Sequence, residues 1–113
     1  MKNLFDQRIL LRNSQGVQLA LKADLIYLKA QGSYTDYYLL KNGAIKRVRQ
    51  SKHLAWHANR LDDRFERINP KIVVNMNHVE FIYHNRTLVL SAPVNEKFII
   101  TQAYWKKFKS LMG

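Results

Sequence analysis

The chain has no cysteine, which excludes a disulfide scaffold, a thiolate metal centre and a cysteine nucleophile. Its 113 residues hold two prolines and four isolated glycines, so neither Gly-x-Gly-x-x-Gly nor Gly-x-x-x-x-Gly-Lys-Ser/Thr can be assembled to cradle a phosphate. His-Glu-x-x-His is missing as well. No apolar run approaches the roughly 18 residues that a membrane-spanning helix needs. Met1 to Arg8 contains no apolar stretch of signal-peptide type, so a cytoplasmic location is expected. Negative charge is the other scarcity. Eight Asp and Glu stand against nineteen Lys and Arg, a net charge of +11.

What is present is a hydrophobic fraction of 47%, enough for a packed core and too high for a disordered basic tail. The length fits one domain over residues 1–113, and no receiver or sensor module is expected within it, whether the chain stands alone or is the excised domain of a longer protein. The positive charge is clustered. Between Asp36 and Asp62 there is no acidic residue, while Lys41, Lys46, Arg47, Arg49, Lys52 and Arg60 all fall there. Lys106, Lys107 and Lys109 form a second group. Such a balance on a small folded domain points to a polyanionic partner, nucleic acid before membrane.

Periodicity gives a mostly β chain. Arg8–Arg12 is a short apolar run before the turn residues Asn13–Gly16. Val17, Leu19 and Leu21 alternate with Gln18, Ala20 and Lys22, which predicts a strand burying its Val/Leu face. Leu25–Ala30 and Tyr34–Leu40 flank Gln31-Gly32-Ser33. Asn42-Gly43 between Leu40 and Ile45 is a hairpin signal, because both residues tolerate positive φ. Ser51 as N-cap, with Leu54, Ala58 and Leu61 at helical spacing, predicts one amphipathic helix over Ser51–Leu61. Phe65–Ile68, Val79–Tyr83, Thr87–Leu90 and Phe98–Ile100 read as strands, and Asn69-Pro70 as a turn. Ile72-Val73-Val74 is too short to classify. Tyr104, Phe108, Leu111 and Met112 give a short terminal helix.

Signals for catalysis are weak, and no enzyme activity, cofactor or metal is expected. Asp62-Asp63 are adjacent residues that do not face one another. His53 and His57 lie four apart on the expected helix, but no third ligand follows at a diagnostic spacing. Nucleic-acid signals are better. Three loops carry side chains suited to phosphates and base edges: Gln31-Gly32-Ser33-Tyr34-Thr35, Arg67-Ile68-Asn69-Pro70-Lys71, and Thr101-Gln102 at a helix start.

In this order the pieces resemble the LytTR-type DNA-binding domain of bacterial transcription regulators, from about Arg8 to Leu111. The resemblance is carried by Asp24-Leu25-Ile26-Tyr27-Leu28, Gly32-Ser33-Tyr34-Thr35-Asp36-Tyr37-Tyr38, Ser51-x-x-Leu54, Phe65-x-Arg67-Ile68, Ile72-Val73-Val74-Asn75, His78-Val79 and Tyr104-x-x-x-Phe108. It implies an elongated antiparallel β architecture with one mid-chain helix and a short C-terminal helix. It also implies transcription regulation, through loops that enter the major groove of double-stranded DNA. By that resemblance the DNA-binding residues are Ser33, Tyr34, Thr35, Arg67, Asn69, Lys71, Thr101 and Gln102. Two segments depart from the family. Asn69-Pro70-Lys71 stands where His and Ser are common, and Thr101-Gln102-Ala103 where Ser-Arg-Arg is common. Asn69 and Gln102 suit adenine edges rather than guanine.

The expected partner is duplex DNA with repeated half-sites, bound by a homodimer that pairs on DNA; neither membrane nor small-molecule substrate is expected. Two other readings compete. A single-stranded DNA or RNA binder would stack bases on a row of exposed rings, with Tyr34, Tyr37, Tyr38 and Trp56 available. A protein-binding adaptor retaining the fold would account for the departures at Pro70, Gln102 and Ala103.

Overall fold

The structure is a computed structural model, and it describes residues 7–111. The signal-peptide reading of the first residues and the place of Met112 in the terminal helix lie outside the described residues, as does the side chain of Leu111. Among the described residues, ten strands form three antiparallel sheets, accompanied by two α-helices. In chain order the strands are β1 (Arg8–Asn13), β2 (Gly16–Leu21), β3 (Leu25–Gln31), β4 (Tyr34–Lys41), β5 (Ala44–Ser51), then helix α1 (Leu54–Ala58). Next come β6 (Phe65–Asn69), β7 (Ile72–Asn75), β8 (Val79–Ile82), β9 (Thr87–Leu90), β10 (Lys97–Ile99) and helix α2 (Gln102–Leu111). The described residues span 44 × 31 × 28 Å, the elongated shape expected.

The central sheet has the order β5-β4-β3-β7-β6 and is covered on both faces. On one face Leu28, Tyr37, Leu39 and Val73 pack beneath the β1–β2 hairpin and α1, meeting Ile9, Leu11 and Leu54. On the other, Tyr27, Tyr38, Ile72 and Val74 pack beneath the β10-β9-β8 sheet and α2, meeting Leu88, Leu90 and Phe108. Alternation of side chains along each strand produces the split, Tyr37 to one face and Tyr38 to the other. Double burial also explains why Ile72-Val73-Val74 gave no period. A strand covered on both faces reads as a continuous apolar run.

Most expected elements are present. The Asn42-Gly43 turn has both residues at positive φ, 53° and 78°, and joins β4 to β5 with Lys41 opposite Ala44. Two expectations fail. Val17, Leu19 and Leu21 do share one face of β2, but it is the outer one; Ala20 is the buried residue. In the hairpin register Leu10 lies opposite Leu19, so Ile9 and Leu11 of β1 take the inward side and β2 contributes only small Ala20 there. The predicted helix over Ser51–Leu61 shrinks to Leu54–Ala58. Ser51 is the last residue of β5, paired with Tyr34, so it cannot cap a helix. His53 takes the cap position without a side-chain bond, and turns follow Ala58.

Candidate nucleic-acid interface

The three sequence-predicted loops meet at one end of the central sheet. The Ala30 amide donates to the Lys71 carbonyl (2.9 Å), tying the β3–β4 end to the β6–β7 turn. The Thr101 amide donates to the Ile68 carbonyl (2.9 Å), and the Asn69 side-chain amide to the Ile99 carbonyl (3.0 Å). These last two bonds fasten the start of α2 to the same turn.

Within that cluster the eight expected contact residues separate by what their side chains are doing. Ser33, Tyr34, Lys71 and Gln102 are exposed, with Tyr34 at 50%. Thr35 is fully buried, and its hydroxyl donates to the Lys52 carbonyl (3.0 Å), so it anchors the strand instead of meeting a ligand. The Thr101 hydroxyl oxygen is buried too, which removes it from any contact surface.

Arg67 and Asn69 are half-buried and committed to the turn. Pro70 has no N–H, and a bulge interrupts the β6–β7 register between Arg67 and Asn69. Arg67 braces this turn from its side chain: Nη2 donates to the Pro70 carbonyl (2.7 Å) and Nε to that of Asn69 (3.4 Å). The Asn69 Oδ1 accepts from the Lys71 amide (2.8 Å) while its Nδ2 holds Ile99. Asn69 is a positioning residue in this geometry, with both ends of its amide engaged inside the protein.

Arg49 was missed as part of this end. It lies opposite Asp36 across the β4–β5 ladder, bonding both carboxylate oxygens (2.8 and 3.1 Å), and its guanidinium sits 5.9 Å from the Tyr34 ring centre. The Arg49 bonds hold the fully buried Asp36 carboxyl below its usual range despite burial. Counting back from the Asn42-Gly43 turn pairs Lys41 with Ala44 and hence Asp36 with Arg49, so the signal was in the sequence.

His57 is not a surface residue. It is 5% exposed, its Nε2–H donates to the Ser51 carbonyl (2.7 Å), and its Nδ1 accepts from the Tyr37 hydroxyl (2.6 Å). A carbonyl can only accept, which fixes the neutral tautomer. Burial pushes the His57 pKa down, against the opposing Ser51 bond. Both ring nitrogens are thereby used, and His53 stands apart on the surface. Among the described residues no group of three or more metal-ligating side chains comes together. Nor is any described helix long and apolar enough to cross a membrane.

Comparison with known proteins gives three findings. A LytTr DNA-binding domain solved from a Bacillus cereus protein, described as a methyl-accepting/DNA response regulator, superposes with a TM-score of 0.75. It is 24% identical and covers 95% of this chain and 97% of its own, a likeness that shows the fold. Among curated proteins no match was found. The family model of the LytTr DNA-binding domain matches residues 16–113. By that match the chain belongs to the LytTr DNA-binding domain family.

Proposed function

We propose that this chain binds double-stranded DNA in a sequence-specific manner for transcription regulation, inserting the loops at one end of the central sheet into the major groove. The observation that carries the reading is the bonding of three separate loops into one edge, with Ser33, Tyr34, Lys71 and Gln102 exposed along it. Lys71 supplies charge toward phosphates, and Gln102 suits an adenine edge. With the net charge of +11, the backbone contribution is strongly salt-dependent. The interface of one chain is small, so two chains on two half-sites about one helical turn apart fit the need for affinity.

The positions of the aromatic rings favour duplex over single strands. Tyr37 is buried against His57, and Tyr38 stacks on Tyr27 at 4.2 Å. Tyr34 and Trp56 are exposed but belong to different elements, β4 and α1, so these rings form no continuous stacking row.

The test is selection from a random duplex library at two salt concentrations. Recovery of a repeated motif with half-sites about one turn apart is the expected result. Tight binding at low salt with no motif, lost at higher salt, would mean that charge alone drives association.

A further inference from the structure

A cleft of about 450 Å³ opens between the β1–β2 hairpin and α1, on the face of the central sheet that carries Tyr37. Alternation along β4 sends Tyr34 and Asp36 to the other face with Tyr38, so the cleft is set apart from the Tyr34–Arg49 pair. Its size falls in the range of small-molecule sites, roughly 300–1,000 Å³.

Five cationic side chains line the cleft: Arg8, Arg12, Lys22, Lys52 and Arg60. Among the described residues no Asp or Glu lines it. Two of the five are held in place. Lys22 is 8% exposed and pairs with Asp62 (3.2 Å), which is not among the lining residues. Arg60 lies 3.5 Å over the Trp56 ring and donates to the Trp56 carbonyl (2.8 Å). Arg8, Arg12 and Lys52 have no ion pair among the described residues. One-signed charge in a concavity repels itself and focuses the field, which raises the local concentration of anions. The rest of the lining is partly apolar and includes Ile9, Trp56 and Leu61, so it suits a ligand with an organic body. A duplex is convex and presents its phosphates one charge at a time, which suits this hollow poorly.

We propose that this cleft binds a small organic polyanion, a phosphate or polycarboxylate carrying at least two negative charges. The proposal stands independently of DNA recognition at the loop cluster.

The experiment uses the full chain without DNA at constant ionic strength, titrated calorimetrically with ATP, citrate and inorganic pyrophosphate. The indole N–H signals of Trp56 and Trp105 are followed in parallel by NMR. The proposal expects one-site saturation by at least one probe, with the Trp56 signal moving and that of Trp105 still. Binding by ATP alone narrows the class to nucleotides, and binding by citrate as well extends it to polycarboxylates. Arg8→Gln/Arg12→Gln is expected to weaken binding about tenfold or more. Lys106→Gln/Lys109→Gln removes equal charge from α2 and is expected to leave affinity within about twofold. Should the first variant melt early, the exposed Lys52→Gln replaces it and is expected to weaken binding in the same direction. Saturation by none of the probes overturns the proposal. So does an equal loss in the hairpin and α2 variants, or a Trp56 signal that does not move.

Discussion

The β3–β4 turn and the β6–β7 turn reach the same end of the molecule, yet they use their polar residues in opposite ways. The first keeps a regular ladder, with Gln31 opposite Tyr34, and Gly32 absorbs the positive φ of 57°. Its backbone needs no help, so Ser33 and Tyr34 remain exposed. The second contains a bulge and Pro70, and its carbonyls are satisfied by Arg67 while Asn69 ties it to Ile99 and Lys71. A side chain of DNA-reading type is therefore left exposed to a ligand only where the backbone does not need it first.

The largest effect expected from this contrast is at the braced turn. Asn69→Ala removes two internal bonds and is expected to cost about 1–3 kcal/mol of stability in denaturant unfolding. It should also weaken binding to matched and random duplexes alike. Arg67→Ala is expected to do the same by releasing the Asn69 and Pro70 carbonyls. A loss confined to one base pair, with unchanged stability, would make Asn69 a reader after all. Gln102→Ala is expected to show that second pattern: preference relaxed at one position by about 1–3 kcal/mol, with the melting curve unchanged. Lys71→Ala should weaken all duplexes and lower the salt slope by about one ion, read from affinities across a salt series.

A smaller effect separates the turns by pH. His57 holds the end of β5, which pairs with Tyr34 beside the first turn. Its folded pKa is depressed by burial below 6.5, so the unfolded chain takes up the proton first. Stability is full above pH 6.5 and declines as pH falls through that value toward the folded pKa. His57→Gln is expected to flatten this part of the stability profile. A slope that persists in the variant would place the titration elsewhere. Smallest of all, Ser33→Ala should leave folding untouched and alter DNA affinity only slightly, since an exposed hydroxyl on a self-sufficient turn braces nothing.

Much of the architecture was legible because its signals are local. Asn42-Gly43 defined a hairpin through its φ requirement, and Tyr104-x-x-x-Phe108 marked the helix whose Phe108 reaches the core. Where the outcome depended on a distant partner, local pattern failed. Alternation in β2 showed that Val17, Leu19 and Leu21 share a face, but the side that met the sheet was set by Ile9 and Leu11 of β1. Ser51 looked like a helix cap, and its pairing with Tyr34 kept it in a strand. The candidate site divided in the same manner. Residue types marked the three loops, while the anchoring of Thr35 to the Lys52 carbonyl and of Asn69 to that of Ile99 depends on partners distant in sequence, and Arg67 is taken up by the Asn69 and Pro70 carbonyls of its own turn.

The most direct test is amide NMR of the chain titrated with its selected duplex. The account predicts that the largest shifts fall on Ser33, Tyr34, Lys71 and Gln102, with little change along Val17–Leu21 on the outer hairpin face. Dominant shifts on the hairpin, with the loop cluster silent, would contradict it.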